Sequence, residues 1–391
     1  MNAEEFLHEK RTQLIRLGDK EWAFCPKPLP PQFAYDLDVS NALVDAGIAL
    51  GNLNGLARTL QNPGFFVNFF VKREAVLSSQ IEGSRATVYD LFAGQPSLFG
   101  EVEDYARDPE IREVLNYVTA LSYGTIRLQS FPLSLRFIRE LHEKLLRSGV
   151  RGQYATPGEF RTSQNRIGGN DLIDAFYVPP PVPQMYEALA AFENYLRNDD
   201  SRDASHKLIR LALIHYQFEA IHPFLDGNGR VGRILVALLI PFWGLLTGPF
   251  LYLSAYFRQN RSQYYDLLLA VSQRDAWKEW IVFFLRGVKE QSEDAVFRAE
   301  KLVSLRDSWK RRLRDQNAPA NALHLMESLF EHNPSVTIKD VQEDLGLTPA
   351  GARGVIDTLV KFDILKEAGK AFFRKNRPKL FDAQEIFDII A

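Results

Sequence analysis

Apolar residues recur three to four positions apart through most of the chain, the spacing that lines one face of a helix. Phe66, Phe69, Phe70 and Leu77 follow this period and predict a helix over 65–86, closing near Gly83, a residue suited to the left-handed conformation that ends helices. The run LSLRFIRELHEKLLRS predicts another over 133–148, stopped by Gly149. Helical periods also cover 184–198, 204–221, 262–286 and 290–314. Two stretches depart from this pattern. Pro26, Pro28, Pro30 and Pro31 cannot share a helix interior. Residues 152–183 hold Gly152, Gly158, Gly168, Gly169 and a proline run, and predict a short hairpin with arms 160–167 and 172–178.

The stretch 234–257 carries no formal charge and is long enough for a membrane span. Pro241, Gly244, Gly248 and Pro249 divide it, so it reads as a buried helix over about 234–240, a turn and a second apolar segment. The AsnAlaProAla break at 317–320 opens a separate module. Helices are predicted there over 321–332, 337–345 and 348–362, with a turn at Gly346 and strand-like ends around Gly369. That order resembles a winged helix-turn-helix.

Composition narrows the classes. The 391 residues are 46% hydrophobic and 25% charged, as in soluble globular proteins. A net charge of -2 excludes a generally basic nucleic-acid coat, so any such contact would be local. The one cysteine, Cys25, excludes intramolecular disulfides and cysteine-rich zinc ribbons. The opening MNAEEFLHEKR lacks the basic and apolar regions of a signal peptide, so the cytoplasm is the expected compartment.

Chemistry concentrates in HPFLDGNGRVGR, residues 222–233. A helical pattern precedes it and another follows, so it reads as a loop feeding a helix N-terminus. Glycines there let backbone N–H groups converge on an anion, and the helix dipole adds positive potential. Arg230 and Arg233 are three apart and can share a face, as a phosphate clamp requires. Asp226 is a hard ligand suited to a magnesium ion shared with phosphates. His222 is the group here whose ordinary pKa suits a general base near neutral pH. Gly227, Gly229 and Gly232 also match a dinucleotide fingerprint, but that motif needs a preceding strand and a later acid, and 234–257 contains none. A Walker A loop would need Gly-Lys-Ser/Thr, which is missing.

The segment resembles the Fic signature, HPFx[D/E]GNGRxxR, without a gap. The resemblance implies transfer of AMP from ATP to a hydroxyl of a target protein, with release of pyrophosphate. It also implies a role for each matched position. His222 would take the proton of a Ser, Thr or Tyr hydroxyl, and Asp226 would hold Mg²⁺. Asn228 and the loop amides from Gly227 to Gly232, Gly229 and Val231 among them, would hold the phosphates. Arg230 would face the β-phosphate and Arg233 the γ-phosphate. Asn260, in TyrPheArgGlnAsnArg, would touch the adenosine part. Upstream, GEFRTSQNRIGG at 158–169 is similar to the family's flap hairpin, which holds a target segment as an added strand. AsnArg at 165–166 stands where more apolar residues are expected.

Ser78, Glu82 and Gly83, in SSQIEG, resemble the family's inhibitory motif, [S/T]xxxE[G/N]. A glutamate at a helix C-terminus opposes the dipole by about 0.3–1 kcal/mol, and a cationic partner would remove the conflict. The expected partner is Arg233, so that Glu82 takes the γ-phosphate's place.

The expected fold is therefore mainly α: a Fic-type helical core with a small β-hairpin flap and a C-terminal winged helix-turn-helix. The expected division is an N-terminal regulatory region (1–115), a catalytic domain (116–290), a linker helix (291–317) and the terminal module (318–391). Within that module, 348–361 would be a recognition helix, with Lys366, Lys370, Arg374, Lys375, Arg377 and Lys379 on a wing for DNA phosphates. Protein contact or dimerisation serves that fold equally well. The rival function is a nucleotide-sensing, DNA-binding regulator, and a third reading keeps the enzyme but moves UMP, phosphate or phosphocholine. The expected partners are a target protein along the flap, a second copy of the chain and DNA, with no membrane. His215 reads as a packing residue, and His8, His142, His206, His324 and His332 receive no role.

Overall fold

Residues 1–36 form short 3-10 turns and a small antiparallel ladder, and the prolines at 26–31 keep a helix from starting before Asp36. Strand β1 (Leu14–Arg16) pairs with β2 (Trp22–Phe24), with Leu14 opposite Phe24. The computed structural model describes residues 1–60, 63–93, 108–147, 150, 155–198, 204–368 and 379–391.

Asp36 starts the first long helix, its carboxylate accepting from the Asp38 and Val39 amides. Helices α1 (Leu37–Thr59), α2 (Pro63–Ile81), α3 (Val88–Ala93), α4 (Pro109–Arg127) and α5 (Leu135–Leu145) lead to the glycine- and proline-rich stretch. Beyond it lie α6 (Val182–Arg197), α7 (Ala204–Ile221), α8 (Asn228–Phe242), α9 (Ser254–Gln259), α10 (Arg261–Arg274) and α11 (Trp277–Asp315). Helix α8 is apolar on all sides beyond Arg233, and its residues from Ile234 to Ile240 are all buried. A helix of that kind belongs at the centre of the bundle, and α2, α4, α5 and α7 pack around it.

Several boundaries differ from expectation. Of the stretch read as a loop feeding a helix, residues 222–227 are that loop, while 228–233 already belong to α8, which begins at Asn228 with Gly227 as its left-handed N-cap. No described helix is long and apolar enough to cross a membrane. The two helices expected at 262–286 and 290–314 break instead at Asp275, whose φ is 55°. From Trp277 the chain then runs as one helix of 39 residues, continuous through the 290–291 boundary. Gly287, between the two expected pieces, serves packing: a Cβ there would lie 2.7 Å from the Tyr256 ring.

The hairpin is reduced to one antiparallel bridge, Ile167 with Tyr177. Its first arm is drawn away by the motif: Arg161 N–H donates to Pro223 O (2.9 Å) and Asn165 Nδ2 to Phe224 O (2.9 Å). Asn165, where an apolar residue was expected, therefore ties the flap to the site.

The C-terminal module comprises α12 (Ala320–Glu331), β3 (Ser335–Thr337), α13 (Ile338–Leu345), α14 (Pro349–Lys361), β4 (Lys366–Glu367), β5 (Leu380–Asp382) and α15 (Gln384–Ile390). Its sheet has the order β3-β5-β4, antiparallel throughout. Thr337 and Asp340 form a capping box at α13, and Gly346 ends that helix at φ 62°. The expected wing residues Lys370, Arg374, Lys375 and Arg377 lie outside the described residues, as do Gly149, Gly152 and the His206 side chain. The module rests on α2 and α3: Tyr89 donates to Asp382 (2.5 Å), and Asn68 Nδ2 to His332 O (3.0 Å).

Candidate active site

Helix α7 delivers His222 one residue past its end, in a left-handed conformation with φ 48°. Its Nδ1 lies 3.2 Å from the Glu219 carbonyl oxygen. A carbonyl can only accept, so Nδ1 carries the proton and Nε2 keeps its lone pair. Arg161, fully buried, fixes the residue from the other side by donating to the His222 carbonyl (3.0 Å). Burial pushes the His222 imidazole down to about 4, so it stands neutral at pH 7.

The ring lines a cavity of about 650 Å³ shared by Gly229 and Arg233 of α8, Glu82, the flap residues Ile167 and Gly168, and Tyr264 and Tyr265 of α10. Helix α8 points its N-terminus toward this region. The first-turn amides of Asn228, Gly229 and Arg230 have no intrahelical acceptor. Val231 N–H already donates to Gly227 O, so its amide is lost to the helix.

The side chains divide in a way the motif alone conceals. Arg233 and Glu82 meet at 2.7 Å, as expected. Arg233 also donates to Ser78 Oγ (2.8 Å) and to the Ser78 carbonyl (3.1 Å), so its guanidinium is tied to α2. Burial alone would raise the Glu82 carboxyl, but the Arg233 guanidinium outweighs it and holds the group below the usual range. Glu82 sits in the turn after α2, with Gly83 at φ 95° closing that turn. A Cβ at Gly229 would lie 2.4 Å from Glu82 Oε1, so this glycine makes room for the pair. Helix α2 is anchored by Glu74, which is buried among Tyr117 (2.9 Å) and Ser254 (2.6 Å).

Four expected ligands are placed otherwise. Arg230 does not share the phosphate face with Arg233. It is buried in an ion pair with Glu113 of α4 and lies 3.5 Å from Asp226 Oδ1. Asn228 spends its side-chain amide on Phe224, accepting from its N–H (2.9 Å) and donating to its carbonyl (2.8 Å). Val231 is in the core, 0% exposed. Asn260 joins α9 to α10 and donates to Tyr256 O (3.0 Å), and it is not among the residues lining the cavity. Replacing Glu113 by alanine should leave a buried guanidinium with only its longer contact to Asp226 and lower stability by up to about 3–5 kcal/mol, measured by chemical denaturation.

Asp226 accepts from the Gly227 amide (2.6 Å) and is half-buried. No group of three or more candidate metal ligands occurs among the described residues. One carboxylate suits magnesium, which commonly takes one or two carboxylates and completes its shell with phosphates and water.

His142, given no role from sequence, holds the loop together. Its Nδ1 accepts from Gly158 N–H (2.9 Å), so Nε2 carries the proton and donates to the Asp226 carbonyl (2.9 Å). Its ring also stacks on Phe224 at 3.8 Å. Its amphipathic helix was legible in the sequence; its partners, 16 and 84 residues away, were not. Glu219, Tyr264, Tyr265, Leu268 and Ser272 were also missed. The Tyr264–Ser272 residues share an α10 face that only the fold turns toward the motif. His215 packs as expected, bonded to Tyr264 OH (2.8 Å).

Burial pushes His142 and His222 down to about 4 and His215 to about 3. On these three histidines the unfolded chain binds more protons between these values and 6.5, so their contribution to stability is lost as pH is lowered, by up to about 4 kcal/mol per pH unit. Glu219, pushed up to about 8, contributes in the opposite sense above about pH 4.5, so melting temperature should drop as pH falls below 6 and should not rise further above pH 7.

Residues 40–126 match the Fic/DOC family N-terminal model and residues 132–240 the Fic/DOC family model. The chain is 32% identical over 169 residues to a protein adenylyltransferase Fic of Drosophila grimshawi, covering 42% of this chain and 31% of that relative. It is 28% identical over 209 residues to a probable protein adenylyltransferase of Aquifex aeolicus, covering 52% of this chain and 55% of that one. The chain thus spans under a third of the Drosophila relative's length. A crystal structure of a Fic family protein from Desulfovibrio desulfuricans superposes with a TM-score of 0.56 at 20% identity, covering 91% of this chain and 98% of that one. Caenorhabditis elegans Fic-1 superposes at 0.51 with 21% identity, covering 68% and 74%. Both family models, with the motif folded around its cavity, show that the chain belongs to the Fic/DOC family.

Proposed function

We propose that this protein transfers AMP from ATP to a hydroxyl of a target protein and that Glu82 holds it in a restrained state. The observation that carries the reading is His222: its Nδ1 is committed to a carbonyl, and its ring lines the cavity that also holds Gly229 and Arg233. Nε2 takes the proton as the target oxygen bonds to the α-phosphorus. The bond from that phosphorus to the β-bridging oxygen breaks, and pyrophosphate leaves. The first-turn amides and the α8 dipole face the phosphate charge. Magnesium, where bound, would be held by Asp226 and would offset charge on the phosphates. Arg230, through Glu113 and Asp226, keeps that carboxylate in place rather than gripping phosphate itself.

Arg233 is the group left for the terminal phosphate once Glu82 withdraws. The flap, tied at Asn165 and bridged at Ile167, offers its backbone to an extended target segment. The regulator reading finds little support in α14, because Arg353 Nε is bonded to Asp357 on the same helix (2.8 Å). The test uses two labelled ATP samples. AMP transfer carries an α-phosphate label onto protein and leaves a γ-phosphate label in solution. Transfer of the γ-label instead would overturn the reading in favour of phosphoryl transfer, and no transfer in any background would overturn both.

A further inference from the structure

Glu219 is a half-buried acid that the mechanism does not use. Its Oε1 is buried and has no hydrogen-bond partner. The carboxyl packs on α8 at Gly232, where a Cβ would lie 2.3 Å from that oxygen. Gly232 therefore leaves space for a carboxyl group as well as shaping the motif. The residue lines the same cavity as His222, Gly229 and Arg233.

The cavity is lined by two kinds of surface. The first-turn amides and Arg233 favour phosphate. Leu268, Leu269, Phe176 and Tyr265 present apolar and aromatic surface suited to a base. The Glu219 carboxyl lies against Gly232, three residues and so about one helical turn beyond Gly229 on the same face of α8. A nucleotide whose phosphates meet the first-turn amides can bring its sugar one turn along α8, to this carboxyl. Among the acids lining the cavity, Glu82 is bonded to Arg233 and Asp266 is exposed.

We propose that the Glu219 carboxyl reads the ribose hydroxyls of the bound nucleotide and makes the site selective for ribonucleotides. A carboxyl accepting from a ribose hydroxyl is a recurrent solution to this problem. Burial pushes the group up to about 8, so at pH 7 it is mostly the neutral acid. A neutral acid avoids repelling the triphosphate and can both donate to and accept from a hydroxyl. The inference rests on the nucleotide-binding part of the proposed function.

The experiment measures dissociation constants at pH 7 with magnesium for ATP, 2′-deoxy-ATP and 3′-deoxy-ATP. It uses the full chain carrying Glu82→Gly, alone and combined with Glu219→Ala or Glu219→Gln. The parent should prefer ATP over at least one deoxy analogue by about tenfold or more. Glu219→Ala should bring the three ligands within about threefold, and Glu219→Gln should keep part of the preference. Thermal unfolding checks each variant. Should Glu219→Ala not fold, Gly232→Ala, whose methyl displaces the carboxyl, should show the same collapse. A parent without preference, or variants that keep it, would overturn the proposal. Binding is read without transfer, so a protein that binds ATP but moves no AMP sinks the transfer reading and leaves this comparison decisive. A parent that binds no ATP overturns both.

Discussion

Replacing Glu82 by glycine should raise AMP transfer about 100-fold over the unaltered protein. Arg233 gives hydrogen bonds to Ser78 Oγ, the Ser78 carbonyl and Glu82 Oε1, and is 97% shielded from solvent or more. On the proposed restraint, while Glu82 stays the terminal phosphate would find its cation occupied and the triphosphate would bind displaced from the line of attack. A misplacement of 1 Å is worth about 100-fold in rate, which sets the expected gain. Glycine removes the carboxylate but leaves the Ser78 contacts, so Arg233 stays positioned and becomes free to meet phosphate. Gly83 already turns the chain here, so another glycine adds little strain. Transfer of α-labelled AMP to the protein or to a lysate is the measurement. A rate within twofold of the unaltered protein would mean that the ion pair holds α2 in place without restraining catalysis.

Replacing His222 by alanine in the Glu82→Gly background should cost about 10²–10⁴ in rate, the usual contribution of a general base. ATP binding should persist, because the first-turn amides and Arg233 do not depend on the imidazole. The pH profile makes the assignment sharper. The base must be unprotonated, and the plot of kcat/KM reports the free enzyme. With His222 pushed down to about 4, activity should hold through pH 6 and decline below about pH 5. An unperturbed imidazole would place that limb near 6.5. A limb at 6.5, or an alanine variant as active as its parent, would sink the role given to His222.

The residues that identify the site were legible because they are contiguous. Twelve neighbouring positions bring an imidazole, a carboxylate, bare amides and a guanidinium into one turn of chain, whatever the rest of the fold does. The helices were legible for a similar reason, since a 3.6-residue period is a local signal. The break expected between 286 and 290 fell elsewhere: Gly287 there admits the Tyr256 ring, and the helix runs through it. The flap misled because strand alternation says nothing of a competitor for its hydrogen bonds, and Pro223 and Phe224 supplied one.

The Arg230–Arg233 pair marks the boundary between the two kinds of information. Three-residue spacing predicts a shared face, but α4 brings Glu113 against one guanidinium and α2 brings Glu82 against the other. Their roles separate for that reason alone. The order of residues along the chain by itself determined the helical class, the motif and the chemistry it can perform. The packing of α2, α4, α7 and α10 around α8 decided which side chains reach the cavity and which are consumed in building it. Charge and hydrogen-bond partners act across a few ångströms of space, and residues more than a hundred positions apart become neighbours only when the chain has folded.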